Sequence, residues 1–447
     1  MRKIKEPTVA NMFYTGDKED LKLHIEYFKN ESKNLYRYHT RAVIVPHAGL
    51  IYSGRVAYEG ISQIDKNVKN LFIFAPSHRV GFDGIALSSY DFWRTPLGEI
   101  ELNQDICKAL SEKYEAIFYD EAIAQEHSIE VEVPIIQSIF SDVKIIPVLI
   151  GKEQPAKIRD IIENYYQNPE NGFVISSDLS HFLTDEKAQE IDKTTAQMIE
   201  SGNISNFKFE QACGAVGIAG LVEFSNKNHF SMIRIDMSNS SETSEDKSRV
   251  VGYGSWFLYE GDKNHFIGQY WSDFVIGLCR LMIKSSFEKK TMQISYPQVF
   301  DQWGACFVTL EKDGHLRGCI GSIVAHQPLI TDLIQHARDA AFNDRRFKPV
   351  TEDEIDSLKI NVSILTDPRR INFVSEQDLI NKIVPGRDGI IIKDGDKQAV
   401  YLPSVWEEIP DKKEFLKSLK VKAGMSEDYF SKTFEAYNFE AIYIKEK

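Results

Sequence analysis

The sequence predicts an α/β domain followed by an α+β domain, and three features of its 447 residues lead to that architecture. Short apolar runs alternate with helix-period segments up to about residue 260, which is typical of a largely parallel sheet covered on both faces. A polar, glycine-containing stretch follows at 259–265, and beyond it the pattern changes to hairpins and separate helices. The length itself fits two or three domains of about 150 residues. We therefore expect domains at residues 1–262 and 263–447.

In the first domain, the three most apolar runs predict buried central strands at 43–45, 72–74 and 173–175. A further strand is expected at 144–149, with helices at 53–64, 156–166 and 186–199. All of these apolar runs are broken after a few residues, whereas a membrane-spanning helix needs about 20 apolar positions. The sequence therefore does not predict a membrane protein.

A histidine follows each of the three central strands. His47, His78 and His181 come shortly after the runs that end at 45, 74 and 175. Open α/β sheets bind ligands beyond the carboxyl ends of their strands, so adjacent strands would bring these side chains together. For each histidine alone, a loop residue bonded to backbone is the alternative. His127, which precedes a predicted helix and has acidic neighbours that could orient it, is a fourth candidate.

Cys213 opens a run of small residues that predicts a helix to about residue 226. At the amino end of a helix the dipole favours a thiolate, which suits metal ligation or nucleophilic attack. A small buried filler in a tight helix crossing is the alternative. The five cysteines are odd in number and contain no Cys-x-x-Cys pair, so we expect free thiols.

The motifs around these residues occur in a fixed order: Pro46-His47-Ala48-Gly49, Pro76-Ser77-His78, Glu126-His127-Ser128-Ile129-Glu130, Ser176-Ser177-Asp178-Leu179-Ser180-His181, Cys213-Gly214 and Ser248-Arg249-Val250-Val251-Gly252-Tyr253. Together they resemble the Memo family over residues 1–260. The resemblance implies a fold similar to the extradiol-type, non-haem iron dioxygenases, with a metal pocket at the carboxyl edge of the sheet. It also implies metal ligands and supporting acid–base groups. The ligands would be His47, His78 and Cys213, and the supporting groups His181, His127 and Asp178.

The implied ligand set departs from that of the dioxygenases. Those enzymes hold Fe(II) with two histidines and a carboxylate, whereas the third ligand here would be a thiolate. A thiolate is softer and more easily oxidised, which shifts the plausible metals toward Fe(II), Cu(I) or Zn and makes oxygen chemistry less certain. Of these metals we expect Fe(II), with Cu or Zn as alternatives. If the site is catalytic, His181 is the expected proton shuttle, with Asp178 fixing its tautomer.

The second domain shows shorter and more varied signals. Apolar residues at helical spacing predict one amphipathic helix over 267–287. Asp313 and Gly314 predict a hairpin turn that would place Thr309 opposite Gly318 and Val308 opposite Cys319. The remaining elements are a helix from 328, a short capped helix at 351, strands at 359–365, 389–393, 398–402 and 439–444, and helices near 412–421 and 427–437.

Cys319 would lie on the second strand of that hairpin, with glycines on either side. Arg317, Arg345 and Arg346 near it would form an anion-binding pocket with an acidified thiol. The alternative is that the arginines are surface charges or bind acidic side chains, and that Cys319 is a small core residue.

Three motifs in this half are Leu316-Arg317-Gly318-Cys319-Ile320-Gly321, Asp344-Arg345-Arg346-Phe347-Lys348-Pro349 and Gly386-Arg387-Asp388-Gly389-Ile390. They resemble the AMMECR family over about residues 266–447. The resemblance implies an α+β fold and a suspected site rather than a reaction. From the residues themselves, we expect Cys319 to be catalytic and the three arginines to bind substrate. Memo, AMMECR and a radical S-adenosylmethionine (SAM) protein occur together in the AmmeMemoRadiSam system, so a radical SAM partner is implied for this fusion.

The net charge of −13 argues against nucleic acid and anionic membranes as partners. The start of the chain lacks the apolar stretch of a signal peptide, so we expect a cytoplasmic protein, with a homodimer left open. The leading hypothesis is a metal-dependent, dioxygenase-like redox enzyme. Its substrate would be a small molecule, either aromatic or not. The alternatives are a non-catalytic metal-binding scaffold for the radical SAM partner, and an iron- or copper-handling protein.

Overall fold

The computed structural model describes residues 2–32, 38–288 and 293–446. The chain divides into two compact units, Met1–Gly261 with Pro297–Val299, and Asp262–Tyr296 with Phe300–Lys447. Among the described residues, no helix is both long and apolar enough to cross a lipid bilayer.

The strands of the first unit are β1 (Ile4–Lys5), β2 (Ala42–Val45), β3 (Asn70–Pro76), β4 (Ile85–Leu87), β5 (Phe92–Thr95), β6 (Gly98–Glu101), β7 (Ile117–Phe118), β8 (Lys144–Ile150), β9 (Asn171–Ser176), β10 (His181–Leu183), β11 (Ser231–Asn239) and β12 (Val250–Tyr259). Its helices are α1 (Lys18–Glu31), α2 (Leu50–Ile61), α3 (Gln104–Tyr114), α4 (Asp120–Ala124), α5 (Glu132–Ile139), α6 (Pro155–Tyr166), α7 (Asp185–Ser201), α8 (Ala215–Asn228) and α9 (Ser241–Ser244). The predicted strands and helices of this half are all present, with ends displaced by a few residues.

The main sheet has the strand order β10-β12-β2-β9-β3-β8-β4-β7, with β11 paired to β12. Strands β2, β9, β3 and β8 run parallel, and antiparallel pairs flank them on both sides. The register pairs Val45 with Ser176 and Phe74 with Ile175. The three strands predicted to precede histidines are therefore immediate neighbours, and their carboxyl ends meet at one edge.

Both faces of this sheet are covered, as the sequence predicts. Ile44 belongs to the same buried cluster as Ile158 of α6 and Leu221 of α8. The next residue, Val45, points to the other face, where a Cβ on Gly60 of α2 would come within 2.4 Å of it. Because side chains alternate along a strand, consecutive apolar residues are both buried only when helices pack on both faces.

The second unit contains the helices α10 (Lys263–Tyr270), α11 (Ser272–Glu288), α12 (Leu329–Phe342), α13 (Glu376–Lys382) and α14 (Lys412–Lys422). Its strands are β13 (Trp303–Lys312), β14 (His315–Gly321), β15 (Gln327–Pro328), β16 (Lys359–Leu365), β17 (Arg369–Arg370), β18 (Gly389–Asp394), β19 (Lys397–Tyr401), β20 (Glu435–Phe439) and β21 (Ala441–Lys445). They form two antiparallel sheets, one ordered β14-β13-β16-β21 with β15 on β13, and one ordered β17-β20-β18-β19. The arrangement is α+β, as predicted.

The hairpin at Asp313 forms, but its predicted register is wrong. An irregularity between Leu310 and Glu311 shifts the pairing by one residue, so Thr309 lies opposite Cys319 instead of Gly318. A β-bulge inserts one extra residue into one strand and has no simple sequence signature. The shift lets the Thr309 hydroxyl donate to the sulfur of Cys319 at 3.2 Å.

Two predicted helices also differ. The helix expected over 267–287 is divided at Trp271, where the Ser272 hydroxyl donates to the carbonyl of Gly268, an acceptor that a continuous helix would use. The helix expected near 427–437 is wrong, because turns lead directly into β20. There the hydroxyls of Ser431 and Thr433 donate to Asp394, so tertiary contacts override local propensity.

Candidate metal centre

Three imidazoles meet at the carboxyl edge of the main sheet. His47 follows β2, His78 follows β3, and His127 lies in the loop before α5. One ligand nitrogen from each lies within 4.8 Å of the other two. The ring centroids are 4.7 to 5.4 Å apart. The first two histidines converge because β2 and β3 flank β9 in parallel.

Ser176 fixes the ring of His47, which is only 1% exposed. The Ser176 hydroxyl donates to the Ser128 carbonyl at 2.7 Å and lies 2.7 Å from Nδ1 of His47. Since a hydroxyl has a single proton, Nδ1 of His47 must donate, which leaves Nε2 with its lone pair. Burial, and then the imidazoles of His78 and His127, lower the pKa of His47 well below its ordinary value. The ring is therefore neutral at neutral pH.

Glu126 plays the same part for His78 and also lies close to His127. Its Oε1 lies 3.0 Å from Nδ1 of His78 and 3.0 Å from Nδ1 of His127, and its Oε2 accepts the backbone N–H of His78 at 2.6 Å. Burial opposes ionisation, but the contacts with both imidazoles outweigh it and lower the pKa of Glu126. An ionised carboxylate accepts the Nδ1 proton of His78, so Nε2 of that ring remains available, whereas the contact with Nδ1 of His127 lacks hydrogen-bond geometry. Sequence reasoning noted acidic neighbours of His127 but missed the bond from Glu126 to His78.

Cys213 reaches the site from the start of α8. Its sulfur lies 3.3 Å from Nε2 of His47, and its N–H donates to the carbonyl of Asp178 at 3.2 Å. The helix packs closely here, because a Cβ on Gly214 would come 2.6 Å from Cβ of Ser177. Burial, with Asp178 adding to it, raises the pKa of the Cys213 thiol. The expected stabilisation of a thiolate by the helix end is therefore outweighed by burial.

The observed group differs from the predicted ligand set in one member. Within the described parts of the chain, ligand nitrogens of His47, His78 and His127 lie within 4.8 Å of one another, whereas the Cys213 sulfur contacts Nε2 of His47 at 3.3 Å. The donor chemistry nevertheless fits a transition metal, because neutral imidazole suits Zn, Cu and Fe, and a sulfur donor suits Cu and Zn. His47 and His78 each have Nδ1 hydrogen-bonded, which is the usual arrangement of a metal-binding histidine.

Asp178 and His181 lie at the same edge but have other contacts. Asp178 Oδ1 accepts the backbone N–H of His47 at 2.8 Å, so this carboxylate anchors the loop that carries His47. Burial raises the pKa of Asp178, and the nearby imidazole of His181 opposes that rise. His181 begins β10 and lies outside the group of three histidines. The tautomer role expected for Asp178 stays a prediction.

In the second unit, two of the three predicted arginines contact carboxylates. Arg317 donates to both oxygens of Glu354 at 3.0 and 3.2 Å. Arg346 donates to Asp344 at 2.7 Å and to the carbonyl of Cys319 at 3.1 Å. Arg345 is exposed, and Cys319 is partly exposed. These contacts agree with the alternative interpretation, in which the arginines are surface charges or bind acidic side chains. Substrate binding by the three arginines stays a prediction.

An open α/β sheet with three clustered histidines, of which His47 is buried, and a buried thiol at its carboxyl edge defines a candidate metal-binding protein. Comparison with known families names the class more closely. The family model described as Memo-like protein matches residues 5–257, more than half of the chain, and the chain belongs to that family. The AMMECR1 family model matches residues 276–444, which confirms the predicted fusion of a Memo domain with an AMMECR domain.

Relatives match one half of the chain or the other. A MEMO1 family protein of Thermoplasma acidophilum is 32% identical over 261 residues, which cover 56% of this chain and 97% of the relative. A protein of Methanocaldococcus jannaschii is 39% identical over 178 residues, covering 39% of this chain and 89% of that protein. The crystal structure of an uncharacterized protein from Pyrococcus horikoshii is 33% identical, covers 38% of this chain and 89% of its own, and has a TM-score of 0.34.

Proposed function

We propose that the Memo domain is a metal-dependent oxidoreductase that acts on a small molecule. It holds Fe(II), with Cu or Zn as alternatives, between His47, His78 and His127, and Cys213 is a fourth donor. One observation carries the proposal: the three ligand nitrogens lie within 4.8 Å of one another at the sheet edge where open α/β sheets bind ligands. A bound metal supplies Lewis acidity and, for iron or copper, electron-transfer chemistry.

The protein's own groups position this centre and move protons. Ser176 and Glu126 hold the rings of His47 and His78 by their Nδ1 atoms. The ring of Phe13 stacks on His127 at 4.4 Å and excludes water from that side. His181 accepts or donates the substrate's proton, since imidazole changes charge near neutral pH. The dioxygenase-like fold and a radical SAM partner, both implied by the family resemblance, belong to this proposal.

The test is oxygen uptake by full-length protein that is purified and loaded with Fe(II) anaerobically, with a panel of phenols as candidate substrates. Uptake that depends on a phenol, is absent in His47→Ala and is much reduced in His181→Ala supports the oxidoreductase. A thiolate-to-iron charge-transfer band that is lost in Cys213→Ser and kept in Cys319→Ser supports the sulfur donor. Equal uptake by His47→Ala and the parent protein contradicts the proposal.

The second candidate function is storage or delivery of the metal. The number of donor atoms at the site favours it. Three imidazoles with a sulfur close by would fill a tetrahedral shell, as structural zinc sites do, whereas catalytic sites keep one position open. This candidate predicts rapid transfer of the metal to a chelator and no turnover of any phenol. The two functions are distinguished by measuring chelator transfer and oxygen uptake on the same preparation.

A further inference from the structure

We propose that Glu132 is a positioning residue of the metal centre: its side chain donates a hydrogen bond to Ser176, and Ser176 in turn holds the ring of His47. The inference rests on the proposed function for the role of the metal. The hydrogen bonds themselves belong to the protein without metal.

Glu132 is a buried acid without a cation to pair with it. It is the first residue of α5, and its side chain is fully buried. Its Oε1 lies 3.3 Å from the hydroxyl oxygen of Ser176, and its Oε2 has no hydrogen-bond partner among the described residues. The charge that acts on it is that of another acid, Asp178. Burying an unpaired charge costs far more than burying an unpaired neutral oxygen, so this side chain is more stable as the neutral acid.

The protons around Ser176 give the direction of the hydrogen bond. A hydroxyl group has one proton and two lone pairs. The carbonyl of Ser128, 2.7 Å away, can only accept, so it takes that proton. Nδ1 of His47 and Oε1 of Glu132 are the other two neighbours, and both therefore donate to the hydroxyl oxygen. Ser176 then makes three hydrogen bonds, of which a neutral Glu132 supplies one.

The electrostatics of the buried acid agree with this direction. Burial, and then the carboxylate of Asp178, raise the pKa of Glu132 well above its ordinary value, although the contact with Ser176 opposes the rise. An ionised Glu132 would have no proton to donate. The single proton of Ser176 could then satisfy the carboxylate or the Ser128 carbonyl, but not both. The neutral acid satisfies all of these groups at once.

The position of His47 depends on this arrangement. With three partners, the hydroxyl of Ser176 is held in one orientation, and it is the group that contacts Nδ1 of His47 and leaves Nε2 with its lone pair. Without the donor from Glu132, the Ser176 side chain loses a bond that opposes its rotation. Glu132 therefore acts on the metal ligand through an intervening side chain.

Two substitutions test the role of the donor. Glu132→Gln keeps a neutral donor of similar size, whereas Glu132→Met has no donor and no buried unpaired oxygen. The first readout is the exchange of the Nδ1 proton of His47 with solvent, measured by NMR on full-length, metal-free protein with isotopically labelled histidine. Loss of the signal in His47→Ala assigns it. We expect the parent rate in Glu132→Gln and about tenfold faster exchange in Glu132→Met, the effect of losing one ordinary hydrogen bond.

Zinc affinity, measured by competition with a chromogenic chelator, is the second readout. We expect Glu132→Gln to bind zinc like the parent and Glu132→Met to bind it about tenfold more weakly, the lower end of the usual loss for a group that supports a ligand. Gln137→Met is the control, because it removes a hydrogen-bonding side chain from the same helix that contacts Thr95 instead of Ser176. Its zinc affinity should equal that of the parent.

Urea unfolding separates positioning from a purely structural role. Methionine replaces a buried unpaired oxygen with apolar surface, so Glu132→Met should be at least as stable as the parent although it binds zinc more weakly. A purely structural role predicts the opposite, a less stable protein with unchanged zinc affinity per folded chain.

The protonation of Glu132 is measured directly by infrared spectroscopy. At neutral pH, the difference spectrum between the parent and Glu132→Gln should contain the carbonyl band of a protonated carboxyl group. Absence of that band, or equal proton exchange in Glu132→Gln and Glu132→Met, overturns the proposal. Failure of the proposed function gives a different result. In that case the parent protein shows no oxygen uptake with Fe(II), while the infrared band and the two exchange rates still differ as expected.

Discussion

Glu126 decides which nitrogen His78 offers. Its Oε1 accepts the Nδ1 proton of His78 at 3.0 Å and so sets the tautomer of that ring, and it lies equally close to Nδ1 of His127 without forming a hydrogen bond. The strand-end rule led to His47 and His78 from the sequence alone. It could not find the bond from Glu126 to His78, because the two residues are 48 positions apart and meet only when the loops fold.

Replacing Glu126 should therefore weaken metal binding without removing a ligand. We expect Glu126→Gln to lower affinity for Fe(II) or Zn by roughly 10–100-fold, the usual cost of losing a ligand's hydrogen-bond partner. Competition with a chromogenic chelator measures the change. Glu121→Gln, at an exposed position on α4, is the control. Unchanged affinity in Glu126→Gln would mean that the carboxylate does not orient His78.

The five thiols should differ in reactivity because they differ in burial. Burial raises the pKa of both Cys107 and Cys279 to about 12, and it also raises the pKa of Cys213 and Cys306. Cys319 alone among the five is partly exposed. Since the thiolate is the reactive form, limited iodoacetamide treatment at neutral pH should label Cys319 first. Peptide mass mapping checks this, and first labelling of Cys107 or Cys279 contradicts it.

Strand β10 carries His181 to the sheet edge of the metal centre through an irregular backbone. The pairing with β12 shifts between His181 and Leu183, and Phe182 between them has a φ of 59°. A bulky side chain is rarely found in this left-handed region. The strain is retained beside a candidate functional histidine, which is where strained residues cluster.

The stability of variants at Phe182 should follow the preference of the new residue for a positive φ. We expect Phe182→Val to lower the free energy of unfolding by about 1–2 kcal/mol more than Phe182→Gly, because a β-branched residue resists a positive φ that glycine accepts. Urea unfolding of the full chain measures both variants. The control pair is Phe209→Val and Phe209→Gly, since Phe209 is similarly exposed, at 66% against 60%, and has no positive φ. At position 209 we expect the glycine variant to be the less stable of the two. If the valine variant is the less stable one at both positions, the assignment of strain to Phe182 is contradicted.

The sequence predicts an element well when the residues of that element alone determine it. The buried strands β2, β3 and β9 show as uninterrupted apolar runs, and α12 shows as a stripe of period 3.6. The register of β13 with β14 depends on a bulge, and the turns before β20 depend on hydroxyl contacts with Asp394. Neither cause is visible in a local pattern, so both predictions were wrong.

At the scale of the whole molecule, a change of periodicity near residue 260 corresponds to the division into two compact units. The family matches also fall on either side of it, at 5–257 and 276–444. Each unit has its own buried clusters among the described residues, one centred on the main sheet and one that includes Leu379, Trp406 and Phe415.

Fragments 1–262 and 263–447 should therefore each fold alone, since each has roughly the size of an ordinary domain, about 50–250 residues. Circular dichroism and a cooperative thermal transition for each separate fragment check this. Aggregation of both fragments, with solubility restored only by co-expression, would show a single shared core instead.

We propose that three histidines from separate segments hold one metal. Elemental analysis of the anaerobically purified full-length protein tests it most directly, with His47→Ala, His78→Ala and His127→Ala compared with the parent. His265→Ala is the control, because that histidine contacts Glu440 in the second unit. We expect one transition metal per chain in the parent and the control, and background metal in each of the three variants. Full metal occupancy in any two of the three variants would contradict it.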